Sequence, residues 1–399
     1  MSIFHTIGQF SAEIGPIATS VVCSALVVPL MIRARNGEQR QGSANPQNIH
    51  VEPTSRLGGA AVFLAYVAAV AVSLKLGYMP LTSALPLLLS ALPVLLAGLW
   101  EDIAQRVSPE RRLLASIASA ALASALAQSV ITRLDLPYVD AWLVYLPFAV
   151  PLTWFMVAGA CNAINIIDGT HGLAGGTALM MFMGIALIAG DSGDTLVLAQ
   201  ALGMVGALAG FLLWNYPGGK VFLGDAGAYF IGFMYAQLSI QLITRNAEIS
   251  AWFVIALAAY PIVETLFSMY RRKIGRRTPS MQPDALHLHS LLYLRFVRFG
   301  ERHRPKDRRL HCAPTLGSGR KERRQPLRRA NARVAPRLWL HVAFCLATAL
   351  AFSDNTPALI ASIIIYAIYY VLCYRKAERI SADTVAQLTP SPRNTYHGR

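Results

Sequence analysis

The chain has 399 residues, 54% of them hydrophobic and only 14% charged, where a soluble domain carries about 25% charge. That composition excludes both an ordinary water-soluble enzyme and a disordered chain. The 36 Lys and Arg against 21 Asp and Glu leave a net charge of +15, but most of it falls in one loop, which points to a membrane surface rather than to nucleic acid.

A membrane span needs about 20 mostly apolar residues. Eleven stretches qualify, approximately 16–32, 57–76, 81–99, 113–131, 142–160, 173–189, 195–214, 221–243, 251–270, 338–352 and 358–374. The residues ahead of the first lack the basic region of a cleavable signal, so that stretch is expected to stay as an anchor. The expected fold is an all-α polytopic membrane protein of about eleven transmembrane helices, with residues 1–374 forming one integral-membrane domain. An odd number of spans puts the termini on opposite sides. With the N-terminus outside, every Lys and Arg except Lys75, Arg133 and Arg245 falls on the cytoplasmic side, the bias that sets orientation. The C-terminus is then cytoplasmic.

The one long connection, 271–337, carries dense basic runs such as Arg308-Arg309 and Arg320-Lys321-Glu322-Arg323-Arg324. Its second half is rich in Arg, Pro and Gly without apolar periodicity and is expected to be mobile or to lie on anionic headgroups. Residues 375–399 read as a disordered cytoplasmic tail. Cys23, Cys161, Cys312, Cys345 and Cys373 show no paired spacing, so neither a disulfide framework nor a zinc site is expected.

On this topology the dense polar clusters collect on the cytoplasmic face. The first is Arg56-Leu57-Gly58-Gly59, preceded by His50 and Pro53. Two glycines at a helix start let another backbone or a phosphate come close, or serve simple helix packing. The second is Glu101-Asp102 at the end of the third span, followed by Arg111 and Arg112. Adjacent acids at a membrane boundary are oxygen ligands suited to Mg²⁺, or an interfacial cap.

The third cluster runs from Asn162 through Asn165, Asp168, Gly169, Thr170, His171 and Gly172 to Gly175-Gly176. On a helix Asn165 and Asp168 lie about 60° apart, near enough to share a ligand. Amides and a carboxylate in so apolar a run need partners; the alternative to a ligand is a pair of helices held by hydrogen bonds. The fourth runs from Asn215, Pro217, Gly218, Gly219 and Lys220 to Gly224-Asp225-Ala226-Gly227. Asp225, just inside the eighth span and flanked by glycines, reads as a metal or proton site, and Lys220 adds a charge suited to phosphate. The fifth is His287-Leu288-His289, with Arg295 and Arg298 after it. No third ligand completes a zinc set there, which leaves phosphate binding or no role.

Carboxylates, amides and cations at one boundary suit a Mg²⁺-bound diphosphate meeting a lipid phosphate. Both reactants are anionic, so the catalyst must supply positive charge and in-line placement. In their order, from His50 to His289, the five clusters resemble the polyprenyl-phosphate N-acetylhexosamine-1-phosphate transferases, the superfamily that includes the bacterial phospho-N-acetylmuramoyl-pentapeptide transferase. The resemblance implies transfer of a sugar-1-phosphate from a UDP-N-acetylhexosamine to undecaprenyl phosphate, with release of UMP. It also implies Mg²⁺, or Mn²⁺ in its place, and an active site on the cytoplasmic face of the bacterial inner membrane. Asp225 falls on the magnesium ligand, and Asp102 on an acid that binds metal or deprotonates the lipid phosphate. Glu101 and Asp168 join Asp102 as catalytic candidates; Arg56, Arg112, Asn165, Asn215, Lys220, His287 and His289 fall on substrate-binding positions.

Departures from the pattern carry information. Glu101 stands for the first Asp of a pair, Arg112 for a common Lys, His171 for a common second Asp, Ser290 for a third His, and Asn48-Ile49 for a basic pair. They point away from the muramoyl-pentapeptide branch and toward enzymes that begin O-antigen or related surface polysaccharides. The partners expected are undecaprenyl phosphate, a UDP-N-acetylhexosamine and anionic lipids at the basic loop, with a homodimer left open and nucleic acid excluded. Three alternatives stand beside this reading: the phospho-N-acetylmuramoyl-pentapeptide transferase of peptidoglycan synthesis, an ion-coupled transporter, whose acids would sit near the bilayer midplane rather than at one side, and a catalytically dead relative acting as a scaffold.

Overall fold

The structure, a computed structural model, describes residues 14–35, 54–276, 286–302 and 327–388. The expectations placed on His50, Pro53, most of the Arg-rich stretch and residues 389–399 lie outside the described residues. The helices are α1 (Ile14–Arg35), α2 (Gly58–Lys75), α3 (Leu81–Ala104), α4 (Pro109–Leu126), α5 (Pro137–Leu143), α6 (Leu146–Ile167), α7 (Leu173–Asp191), α8 (Thr195–Asn215), α9 (Gly224–Arg245), α10 (Ala251–Leu257), α11 (Ala259–Tyr270), α12 (Leu288–Arg302), α13 (Val334–Ala351) and α14 (Thr356–Leu388). A single bridge, Ser55 to Val221, is the extended pairing among the described residues. Cys23, Cys161, Cys345 and Cys373 are free thiols.

Nine of the described helices are long and apolar enough to cross a membrane, and the pair α10–α11, bent by 72°, makes a tenth. The remaining candidate of the eleven, 113–131, is α4, which begins on the charged turn Glu110-Arg111-Arg112 and stops at Leu126. It nevertheless runs the length of α9. Arg112 at its start pairs with Asp225 in the first turn of α9, and Arg133 beyond its end donates to the carbonyls of Ile243, Asn246 and Ile249 at 3.0, 3.0 and 2.7 Å, at the far end of α9.

The helices alternate in direction, so the starts of α2, α4, α7 and α9 meet the ends of α3, α6 and α8 at one end of the bundle. Gly15 in α1 lies against Leu76 at the end of α2, while Tyr374 in α14 donates to the Leu286 carbonyl beside α12. The described chain therefore starts at one end of the bundle and finishes near the other.

α9 is the axis. Of its most apolar stretch 89% is buried, against 17% for α14. A helix buried all round has to be apolar and narrow, and glycines make it so: a Cβ on Gly59 would collide with the backbone of Gly227, one on Gly98 with Ala226, and one on Gly232 with the backbone of Cys161. The far end is latched by polar contacts. Arg133 pairs with Asp135 at 2.6 Å, Asp135 accepts from the Ala251 N–H at 2.6 Å, and Arg245 pairs with Asp194 at 2.6 Å.

Two stretches are more ordered than their sequence pattern indicates. α14 continues past Tyr374 to Leu388, because residues 375–388 carry strong helix formers and neither Gly nor Pro, and Ala377 is buried. At 33 residues this helix is about 50 Å long, longer than the ~30 Å hydrocarbon layer, so the expected tail begins as an extension of the last span. Within the basic loop α12 packs on α13 and α14, with Arg337 over the Phe296 ring at 4.3 Å, and residues 327–332 are helical too.

The contact between Gly59 and Gly227 admits no side chain. Gly59→Val is expected to lower stability by about 1–3 kcal/mol or more, seen as a reduced midpoint of thermal unfolding in detergent, while the same change at Gly77, which faces open space but holds a positive φ, acts through local backbone strain alone.

Candidate active site

α9 begins with unpaired backbone N–H groups, as every helix does, and here they are met by a carboxylate from another helix. Asp102 lies one turn after Gly98, on the same face of α3. Its Oδ1 accepts from the Asp225 N–H and its Oδ2 from the Ala226 N–H, both at 2.9 Å. Asp102 is fully buried; the positive end of α9 and Arg56, whose Nε lies 3.6 Å from Oδ1, offset its charge. Gly224 precedes this turn with φ +73°, and a side chain there would strike the Asp102 carboxylate.

The turn so fixed presents Asp225. Its carboxylate pairs with Arg112, takes a hydrogen bond from the Asn165 amide at 3.1 Å, and lies 3.8 Å from Arg56 Nη2. Arg112 sits on the first turn of α4, which Ser108 caps by accepting from the Arg111 N–H and Pro109 starts. Its guanidinium lies over the Tyr229 ring at 6.0 Å, and its Nε is buried without a hydrogen-bond partner. Asp168, the first residue after α6, faces the start of α9 at Gly224; burial pushes its carboxyl up to about 7, with Arg56 opposing and the Asp225 charge adding.

Two loops brace this centre. Gly58 and Gly59 donate their N–H groups to the Phe222 and Leu223 carbonyls at 3.0 and 2.8 Å. The glycine pair thus admits another backbone, the strand-like lead into α9. Asn215 accepts from the Gly172 N–H and donates to the Val221 carbonyl, both at 2.7 Å. His171 faces the Pro217 carbonyl at 3.3 Å, stacks on Phe222, and takes an Asn331 side-chain oxygen on its backbone N–H at 2.8 Å. Burial pulls the His171 pKa down, the Pro217 carbonyl opposes this and Arg328 nearby adds to it, so the charged form of the ring is disfavoured.

His287 and His289 stack in parallel, 5.4 Å apart. The His289 ring lies against Gly169, in the turn that carries Asp168, and this brings the loop before α12 to the same centre.

The sequence from 84 to 243 matches the family described as Glycosyl transferase family 4. The chain is 30% identical over 287 residues to the "Decaprenyl-phosphate N-acetylglucosaminephosphotransferase" of Mycobacterium tuberculosis (strain ATCC 25618 / H37Rv), covering 65% of this chain and 69% of that relative. The chain belongs to glycosyl transferase family 4. This family 4 transferase is also 26% identical over 291 residues to the "Probable undecaprenyl-phosphate N-acetylglucosaminyl 1-phosphate transferase" of Bacillus subtilis (strain 168), covering 71% of this chain and 77% of the relative. To the "Phospho-N-acetylmuramoyl-pentapeptide-transferase" of Clostridium botulinum (strain Alaska E43 / Type E3) it is 25% identical over 285 residues, covering 68% and 85%.

In the family 4 fold Arg56, Asp102, Arg112, Asn165, Asp168 and Asp225 come together. Other candidates stand apart from Asp225. Glu101 closes the turn between α3 and α4, accepting from the Val107 N–H at 2.8 Å. Asn215 spends its amide on two backbone groups, and Lys220 is exposed, with its ammonium 5.0 Å from the Trp214 ring. Among the described residues no three His, Cys, Asp or Glu side chains form a metal cage. Asp225 and Asp102 do offer hard oxygen donors, the set that Mg²⁺ takes when waters and substrate phosphates fill the rest of its shell.

Residues that the sequence reading passed over are Tyr229, which donates to Asn162 at 3.3 Å, Asn331, and Glu264, which holds His287 at 3.0 Å. Only Glu264 carried a signal: it is the lone acid in the apolar run 251–270.

Removing the Asp102 carboxylate strands two buried N–H groups. Asp102→Ala is therefore expected to cost about 1–3 kcal/mol for each unsatisfied group, measured as a lower unfolding midpoint, whereas Lys220→Ala leaves that midpoint unchanged.

Proposed function

We propose that the protein transfers N-acetylhexosamine-1-phosphate from a UDP-sugar to undecaprenyl phosphate, releasing UMP and beginning a lipid-linked surface polysaccharide. The observation that carries this reading is the gathering of Asp102, Asp168, Asn165, Arg56 and Arg112 around Asp225 at a single end of the bundle. A transporter needs its ionisable groups near the midplane with access from both faces, and this cluster occupies helix ends. Arg56, Arg111, Arg112, Lys220, Arg271 and Arg272 share that end with it, whereas Lys75, Arg133 and Arg245 belong to the other, so by the charge bias the cluster faces the cytoplasm. Counting α4 as the eleventh span agrees with that orientation.

In the reaction an oxygen of the lipid phosphate attacks the sugar-bearing phosphorus of the donor, the bond from that phosphorus to the bridging oxygen breaks, and UMP departs with the electron pair. A lipid phosphate has its second pKa at about 6, so near neutral pH it attacks largely as a dianion without a dedicated base. Asp225, with Asp102 beside it, would hold Mg²⁺, which supplies charge neutralisation at the diphosphate and the leaving UMP. Each oxygen of Asp102 keeps a second lone pair beyond the N–H it accepts. Arg56 and Arg112 carry the remaining positive charge, Asn165 and Asp168 orient the nucleotide-sugar, and His287 and His289 close over its phosphates.

Membranes containing the protein are expected to move label from a UDP-N-acetylhexosamine into a lipid extract only with Mg²⁺ or Mn²⁺ present. Asp225→Asn is expected to lower the rate by about 100-fold or more. A donor panel that includes UDP-N-acetylmuramoyl-pentapeptide separates the surface-polysaccharide branch from the peptidoglycan branch, and silence with every donor from correctly inserted protein would reject the transferase reading.

A further inference from the structure

Glu264 lies in α11, past the 72° bend that separates α10 from α11, and is 1% exposed. A buried carboxylate in an apolar bundle is costly unless its oxygens are bonded, and here both are. Oε1 meets His287 Nδ1 at 3.0 Å and the Leu288 N–H at 3.4 Å, and Oε2 accepts the Tyr370 hydroxyl from α14 at 2.8 Å. Three elements thus converge on a single acid. A carboxylate is an acceptor only, so Nδ1 of His287 is the donor and the tautomer is set by Glu264.

The chain of contacts leads into the active centre. His287 stacks on His289 with an interplanar angle of 3°, and His289 packs on Gly169, next to Asp168. Among the groups facing Glu264, Tyr260 on α11, Tyr366 and Tyr370 on α14, His341 on α13 and His289 beside His287 are phenols and imidazoles.

We infer that Glu264 is a positioning residue of the transfer reaction: its carboxylate orients His287, and through the stacked pair His289, so that Nε2 of His287 is turned to a phosphate of the nucleotide-sugar. With Nδ1 spent on the carboxylate, Nε2 is the nitrogen left to meet a phosphate oxygen, and the carboxylate offsets the charge of the ring whenever both nitrogens carry protons. This rests on the reading that the histidine pair meets the donor's phosphates, and it adds a residue that no motif at the active centre contains.

The test uses the full chain in detergent with ¹⁵N-labelled histidine, His287→Gln supplying the assignment. The expected spectrum has the His287 Nδ1 carrying a proton with and without ligand, and adding UDP shifts the Nε2 resonance. In Glu264→Gln the Nδ1 proton is no longer fixed, the tautomers mix, and UDP no longer shifts the Nε2 resonance. In steady-state assays Glu264→Gln is expected to lower kcat/KM for the nucleotide-sugar about 10-fold, leave KM for the polyprenyl phosphate unchanged, and add nothing in a His287→Gln background. Tyr370→Phe, a milder change on the same carboxylate, should keep the Nδ1–H tautomer. An unaltered His287 spectrum in Glu264→Gln, or its full penalty persisting beside His287→Gln in an active enzyme, overturns the inference. Absence of transfer by the unmodified chain instead rejects the underlying reading.

Discussion

The bond between the Asp102 carboxylate and the first N–H groups of α9 is the constraint on which the rest of this structure depends. An axial helix packed on every side has to find partners within the protein for its unpaired donors. Asp102 meets two of them with two oxygens, and a negative charge there also suits the helix dipole. Such a cap from another helix demands close approach, which explains the glycines at 59, 98, 224 and 227: each stands where a side chain would hold α2, α3 or α9 apart. Because one of the capped groups is the N–H of Asp225 itself, the bond that seats the helix also fixes where the Asp225 side chain emerges. Fold and site are therefore one arrangement.

How far the sequence discloses this follows from the range of each interaction. Apolar runs are local, so the spans and the gathering of polar clusters at their ends were legible, and the order of motifs led to the family. Contacts between motifs were not. The glycines after Arg56 were compatible with a phosphate or a backbone, and only the approach of residues 222 and 223 decides for the backbone. The string of letters does not show that Asn215 braces two loops or that Lys220 lies on Trp214. Asn331, which holds the backbone of His171, comes from a segment with no apolar period, more than a hundred residues away. Glu264 differs: an acid alone in an apolar run announces a buried partner, and His287, at the mouth of the next loop, is that partner.

His171 shows how a substitution in a motif can be absorbed. Where the family pattern commonly has a second acid, this chain has an imidazole, held by the Pro217 carbonyl, stacked on Phe222 and packed against Gly219. An imidazole has no oxygen to offer in place of an acid, and burial disfavours its charged form; Asp168 is the carboxylate that remains in the loop. What the ring does instead is join residues 168–172 to residues 215–222 by packing, alongside the two hydrogen bonds of Asn215. The loop accordingly carries one acid fewer than the common pattern. The imidazole thus acts on how the two loops are held together, while Asp168, on the side of the loop nearer Asp225, keeps its carboxylate in the centre.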